Sequence, residues 1–107
     1  MIYMDYAATT PVDSRVFEAM RSYFTASFGN PSSVHHYGQI AEAAVDSARE
    51  KVASVLGCRP DEIIFTSCGS EADNLALRGA ALAMREKTGD SWIITSRVAH
   101  RAVSKTA

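Results

Sequence analysis

The stretch Ile63-Ile64-Phe65-Thr66-Ser67-Cys68-Gly69-Ser70-Glu71-Ala72-Asp73-Asn74 decides how the rest of the chain is interpreted. It opens with a short apolar run of the kind that forms a buried strand. Small residues follow, and residues 75–84 then repeat apolar side chains at helical spacing. A strand, a small-residue turn and a helix start leave free backbone N–H groups at the positive end of a helix dipole, which suits a phosphate group.

Two residues of this turn carry the phosphate prediction. Gly69 has no Cβ, so the backbone can approach a ligand closely, and the hydroxyl of Ser70 is a further donor. The turn is neither a Walker A loop nor G-x-G-x-x-G, so a nucleotide is not the first expectation. The pattern alone leaves open an ordinary strand-to-helix turn capped by Ser70.

Length and composition predict one small globular domain. The chain has 107 residues, of which 47% are hydrophobic and 21% charged. A net charge of −1 without a basic run disfavours nucleic acid and anionic membrane surfaces as partners. The sequence contains no apolar stretch of membrane-spanning length and no signal-peptide pattern, and we therefore expect a soluble cytoplasmic protein. Cys58 and Cys68 are interpreted as reduced structural thiols, and no metal site is expected.

Two helices are predicted before the phosphate-type turn. Thr10 is the expected cap of the first, with Pro11 at its first helical position, and apolar spacing predicts about three turns. The turn sequence Phe28-Gly29-Asn30-Pro31 ends it. Ser32 or Ser33 is the expected cap of a longer second helix, which Gly57 terminates.

A parallel β-α-β unit is predicted for the second half of the chain. Residues 63–65 and 92–95 read as short strands, and an alanine-rich helix from about Glu71 to Lys87 connects them before a turn at 88–90. Another helix is expected to begin within residues 98–103. Two strands cannot complete a parallel sheet, so the fold class is α/β with an incomplete sheet, as part of a larger domain.

Three ordered blocks carry a resemblance to a known family. They are Tyr3-Met4-Asp5-Tyr6-Ala7-Ala8-Thr9-Thr10-Pro11-Val12-Asp13, then Phe28-Gly29-Asn30-Pro31-Ser32-Ser33 with His35 or His36 and Gly38, then the stretch from Phe65 to Asn74. With these blocks the chain resembles the N-terminal portion of a cysteine desulfurase of the NifS/IscS type, a class V aminotransferase. The second block favours this branch over the SufS branch.

The resemblance implies a pyridoxal 5'-phosphate (PLP) enzyme of fold type I. Residues 1–14 would then lie on the small-domain side, and residues 15–107 would begin the PLP-binding large domain. Gly69 and Ser70 are implied to hold the PLP phosphate. His100 is implied to stack on the pyridine ring and take part in proton transfer, a task that suits an imidazole. Without the family, a lone histidine at a strand end is more often structural.

The implied reaction takes sulfur from L-cysteine, gives L-alanine and passes the sulfur through an enzyme persulfide. The implied partners are an iron–sulfur scaffold or another sulfur acceptor, and the implied assembly is a homodimer. Two positions depart from the family, because Ala99 replaces a usual glutamate and Ser104 a usual small apolar residue. Both departures bear on the orientation of His100.

Several groups that the reaction requires are not recognisable in this chain. Its lysines do not follow the family's serine-x-histidine pattern for the lysine that binds PLP covalently; they are Lys51, Lys87 and Lys105. We therefore expect no desulfurase activity from the 107 residues alone, and we expect their uncovered apolar faces to promote association. Two alternatives remain open, a naturally truncated non-catalytic binding or dimerisation module and another class V enzyme.

Overall fold

The chain is helical in the computed structural model, which describes residues 1–90 and 92–107. The α-helices of this part are α1 (Ser14–Arg21), α2 (His36–Leu56), α3 (Gly69–Thr88) and α4 (Arg101–Ser104). Short 3-10 helices lie at Ser22–Phe24 and Pro60–Glu62. The chain divides into two compact units, Met1–Ile63 and Ile64–Ala107.

The predicted β-α-β unit is not formed by the described residues. Residues 63–65 and 92–95 belong to no strand, although Ile63 has extended backbone angles of φ −95° and ψ 125°. A strand is stabilised by ladder hydrogen bonds to a neighbouring strand, and the described residues contain no strand assignment at all. The described residues therefore do not show the two predicted strands, while the helix between them was predicted correctly.

Helix α1 begins later than predicted. Its N-cap is Asp13, whose carboxylate accepts from the backbone N–H of Arg15 at 2.8 Å, so Thr10 is not the cap and Pro11 precedes the helix. The same carboxylate pairs with the Arg15 guanidinium at 2.9 Å, which lowers the pKa of Asp13. A carboxylate at this position accepts a hydrogen bond from an N–H that has no partner within the helix, and its negative charge is stabilised by the positive end of the helix dipole.

Helix α2 also has a different cap from the predicted serines. The Nδ1 atom of His35 accepts from the N–H of Gly38 at 3.3 Å. Ser32 and Ser33 lie before the cap position, in a tight turn in which their N–H groups donate to Asn30 at 3.0 and 2.9 Å, and the helix begins only at His36.

The C-terminal ends of the long helices follow the sequence prediction. Gly57 has φ 68° and ψ 32° at the end of α2, and Gly89 has φ 82° at the end of α3. Both lie in the left-handed region, which glycine adopts without a steric penalty. The predicted stop at Gly57 and the predicted turn at 88–90 are confirmed.

The second unit is built on α3. Helix α3 contacts the short helix α4, and it borders an open groove of about 550 Å³ whose other wall includes residues 92–94. The predicted start within 98–103 is confirmed as α4, which has His100 as its N-cap. Ser70, the cap in the alternative of an ordinary strand-to-helix turn, lies inside α3, because Cys68 is the N-cap.

Few apolar side chains are buried in the described chain. The buried ones are Ala41 and Ala53, whereas Trp92, Ile94 and Val98 are 90%, 98% and 92% exposed. No helix of the described residues is long and apolar enough to cross a bilayer. Large apolar surfaces are therefore open on both units, as the sequence predicted.

Candidate functional site

The loop before α3 is fixed by a carboxylate from the helix itself. The backbone N–H and the hydroxyl of Ser67 both donate to Oε2 of Glu71, at 2.7 and 2.6 Å. These two bonds, the hydroxyl first, lower the pKa of Glu71. The hydroxyl of Thr66 also donates to the carbonyl of Cys68 at 3.2 Å. The turn therefore has a defined conformation before any ligand is considered.

The first residues of α3 present open donors. Gly69 and Ser70 are the first two residues of a 20-residue helix, whose first turn closes with the N–H of Ala72 on the carbonyl of Cys68 at 3.1 Å. The N–H groups before Ala72 precede this ladder. The side chain of Cys68 makes no capping hydrogen bond. These N–H groups have no acceptor within the helix, although those of Ser70 and Glu71 also face the Cys68 thiol, and a helix end of this kind can bind an anion.

Gly69 and Ser70 also leave space for a ligand. A Cβ built on Gly69 would meet no atom within 4 Å. The side chain of Ser70 is exposed, and its hydroxyl has no hydrogen-bond partner within residues 1–90 and 92–107. The carboxylate of Glu71, whose charge would repel an anion, accepts hydrogen bonds from both donors of Ser67. Backbone donors, one free hydroxyl and open space fit a phosphate group such as that of PLP.

Cys68 is an exposed thiol at the same helix end. Its pKa is lowered chiefly by the backbone N–H of Glu71, then by the hydroxyl of Ser67, while the negative charge of Glu71 opposes the shift. A helix N-terminus favours the thiolate for this reason. The prediction that Cys68 is a structural thiol is not supported by burial, since the residue is exposed.

His100 is the N-cap of α4. Its Nδ1 atom accepts from the backbone N–H of Ala102 at 3.2 Å, and its ring is exposed. Because Nδ1 is an acceptor here, the neutral ring carries its proton on Nε2. Ala99 before it is half-buried and donates its N–H to Ser96 at 3.1 Å. The capping bond thus orients the imidazole, and the methyl side chain of Ala99 has no polar atom that could hydrogen-bond to it.

The structure ties the two predicted site elements together through Asn74. The Asn74 side-chain amide donates to the carbonyl of Ser70 at 2.8 Å and faces the carbonyl of Ala102 at 3.5 Å. Its oxygen accepts from the hydroxyl of Thr106 at 2.7 Å, across 32 residues of sequence. The (i, i+4) spacing of Ser70 and Asn74 can be read from the sequence and indicates that the two residues are neighbours on one helix face. The hydrogen bond to Thr106 could not be read from the sequence, because it depends on how α4 packs against α3.

We find no candidate metal site among the described residues. They contain no group of three or more His, Cys, Asp or Glu side chains that could hold an ion. Cys58 is half-buried at the end of α2, in the other unit of the chain, and its N–H donates to the carbonyl of Ala53 at 3.1 Å. The N-terminal end of α3 with His100 is therefore the best-defined candidate site.

Comparison with known proteins gives a consistent result. The profile of the family described as Aminotransferase class-V matches residues 2–107. A protein named cysteine desulfurase IscS from Dictyoglomus turgidum is 50% identical over 95% of this chain. A protein named putative cysteine desulfurase IscS 1 from Bacillus subtilis is 50% identical over 98% of it. A solved structure titled NifS-like protein superposes with a TM-score of 0.86 at 43% identity over 98% of the chain.

These similarities cover nearly all of this chain but a minor part of the relatives. The chain spans 25% and 27% of the two curated relatives and 28% of the NifS-like protein. The likeness to the NifS-like protein relates the chain to the fold-type I architecture. Neither the helical secondary structure nor this likeness shows the β-α-β unit.

Proposed function

This chain belongs to the Aminotransferase class-V family, and we propose that it is part of a PLP-dependent cysteine desulfurase. The proposed enzyme takes sulfur from L-cysteine, gives L-alanine and passes the sulfur, through an enzyme persulfide, to an iron–sulfur scaffold or another acceptor. The observation that carries the proposal is the open N-terminus of α3 at Gly69 and Ser70, in a sequence half identical to proteins named cysteine desulfurase IscS.

The proposed roles follow from the donors at each position. The hydroxyl of Ser70 and the first N–H groups of α3 would hold the PLP phosphate, with the helix dipole favouring its negative charge. His100 would lie against the pyridine ring. Its Nδ1 atom is engaged by the N–H of Ala102, so Nε2 is the atom that would move a proton. When bound, PLP supplies an electron sink for bonds at the substrate α-carbon.

Other parts of the enzyme are proposed to come from sequence outside these 107 residues. These parts are the lysine that binds PLP, the cysteine that carries sulfur, the partner of the pyridinium nitrogen and the arginine for the substrate carboxylate. Cys58 and Cys68 are not proposed for the sulfur step. We further propose that the whole protein is a cytoplasmic homodimer. In it, residues 1–14 would lie on the small-domain side, and residues 15–107 would begin the large domain. Residues 63–65 and 92–95 would pair as strands there.

The test uses the whole polypeptide that contains these residues. The unmodified protein should bind PLP and release L-alanine from L-cysteine. Ser70→Ala should weaken PLP binding about tenfold or more, because a hydrogen bond to a charged group contributes about 1.5–3 kcal/mol. Ser70→Thr keeps the hydroxyl and should restore binding. Ser54→Ala, on the exposed surface of α2, removes a hydroxyl elsewhere and should leave binding unchanged.

Two results would overturn the proposal. One is a whole protein that binds no PLP, which would favour a non-catalytic binding or dimerisation module. The other is a whole protein that binds PLP but does not act on L-cysteine, which would favour a different class V enzyme. Equal PLP affinity of Ser70→Ala and the unmodified protein would remove Ser70 from the phosphate site.

A further inference from the structure

Asn74 sits between the two elements of the candidate site. It lies in the second turn of α3, four residues after Ser70, and is half-buried. Its amide group reaches the first turn of its own helix and also α4, the element that His100 caps. A side chain in this position connects the proposed phosphate donors to the proposed ring-stacking histidine.

The orientation of the Asn74 amide is determined by its neighbours. Its Nδ2 atom faces two carbonyl oxygens, those of Ser70 and Ala102, and a carbonyl only accepts. Its Oδ1 atom faces the hydroxyl of Thr106, which can donate. The Thr106 hydroxyl also lies 2.8 Å from the carbonyl of Ala102. Asn74, Ala102 and Thr106 therefore form a closed polar cluster that a flipped amide would break.

We propose that Asn74 is a positioning residue that sets His100 relative to the phosphate-binding turn, with Thr106 as its partner on α4. The connection runs from Ser70 through the Asn74 amide to Ala102, and the N–H of Ala102 in turn orients the ring of His100. The inference rests on the proposed function for its catalytic meaning, but the mechanical link is a property of these residues alone. Asn74 itself contacts neither phosphate nor ring in this role.

Hydrogen exchange on the whole protein tests the link without reference to the cofactor. The amides of residues 103–107 bond to carbonyls in or next to α4, and the Asn74 cluster anchors this segment to α3. Asn74→Leu removes the donor and acceptor together. Exchange of these amides should become about fivefold faster, the effect of losing about one neutral hydrogen bond. Thr106→Val, a smaller change, should act in the same direction and serves if Asn74→Leu does not fold.

A cofactor readout tests the functional part. With PLP bound, Asn74→Leu and Thr106→Val should alter the visible absorption of the cofactor and lower the activity through kcat more than through KM, since the ring contact is disturbed while the phosphate donors remain. Asn74→Gln keeps both polar atoms and should recover part of the loss. Arg78→Gln, one turn further along α3 and exposed, and Lys105→Gln, beside Thr106, are the matched controls.

The outcomes separate this inference from the proposed function. Faster exchange and altered absorption in both variants, with unchanged controls, support the positioning role. Unchanged exchange of residues 103–107 in both variants overturns it, whether or not the protein binds PLP. Faster exchange with unaltered absorption and activity overturns the link to His100, because the cluster would then stabilise α4 only. A whole protein without PLP binding overturns the proposed function, and exchange still decides whether the link exists.

Discussion

Gly69 is a glycine for which the folded chain gives no steric reason, since a Cβ there would meet no atom within 4 Å. Gly38 is the opposite case, because a Cβ there would collide with the backbone carbonyl of Ser33. Packing explains Gly38, and it leaves Gly69 unexplained unless a ligand approaches the backbone. The contrast separates a glycine required by the fold from one compatible with a binding role.

Gly69→Ala tests this difference in the whole protein. We expect unfolding stability to stay unchanged or rise slightly, because alanine is the better helix former, while PLP affinity falls. Gly79→Ala is the matched control, since Gly79 lies in the same helix and its Cβ would also meet no atom within 4 Å. It should stabilise α3 by up to about 1 kcal/mol without changing PLP affinity. Equal PLP affinity in the two variants would contradict the role of Gly69.

Cys68 offers a pH-dependent measurement at the same turn. Its pKa is lowered by the N–H of Glu71 and the hydroxyl of Ser67, and the Glu71 carboxylate works against this shift. Glu71→Gln removes that charge and weakens the competition for the Ser67 hydroxyl, so the thiol pKa should fall further. The pH dependence of alkylation of Cys68, in a Cys58→Ser background, measures the midpoint. A midpoint that rises in Glu71→Gln would show that the carboxylate stabilises the thiolate indirectly by ordering the turn.

At the scale of elements, helix starts and helix ends behaved differently. The ends at Gly57 and Gly89 follow from a left-handed backbone that glycine alone adopts freely, so the sequence indicated them well. The starts at Asp13 and His35 replaced the predicted caps. Several side chains near each start can accept an N–H bond, and the local path of the chain selects one of them.

The entry into α2 gives a prediction at this scale. The turn at Asn30 brings the carbonyl of Ser33 against Gly38, so Gly38→Ala forces a backbone shift at the start of the helix. We expect a loss of roughly 1–3 kcal/mol, the usual cost of overpacking. Urea unfolding of the whole protein measures it, with Gly79→Ala as the variant that adds the same methyl group in open space. Equal stability of Gly38→Ala and the unmodified protein would contradict the close approach.

At the scale of the whole molecule, the described chain leaves most of its large apolar side chains open to solvent. Among its apolar residues the buried ones are two alanines, Ala41 and Ala53. Burial of apolar surface is the main favourable term in folding, and this chain gains little of it by itself. The chain spans 25–28% of the three relatives compared above, which are therefore between three and four times as long.

The isolated 107 residues should therefore associate or remain partly molten. The exposed faces of α2, α3 and residues 92–94 provide the surface for self-contact and for a hydrophobic dye. Light scattering after size exclusion and binding of the dye ANS measure this, with the whole protein as the reference. A dilute monomer with one sharp thermal transition would contradict the prediction.

Catalysis gives a second prediction for the isolated chain. It should release no L-alanine from L-cysteine when PLP is added. Its lysines, Lys51, Lys87 and Lys105, lack the pattern of a PLP-binding lysine. The whole protein, assayed in parallel, should release alanine. Measurable turnover by the isolated residues would overturn the assignment of the covalent lysine to sequence outside them.

Helices α2 and α3, their glycine stops and the family could all be predicted from the order of the amino acids, because periodicity and left-handed positions are local and the motif blocks are contiguous. Folding in three dimensions selects the side chains that cap α1 and α2 and brings Asn74 against Thr106, and residues 63–65 and 92–95 are in no strand of the described chain. The physical reason is the same for each. Caps, strand pairs and distant hydrogen bonds depend on which groups the fold brings close together, and a one-dimensional pattern does not contain that information.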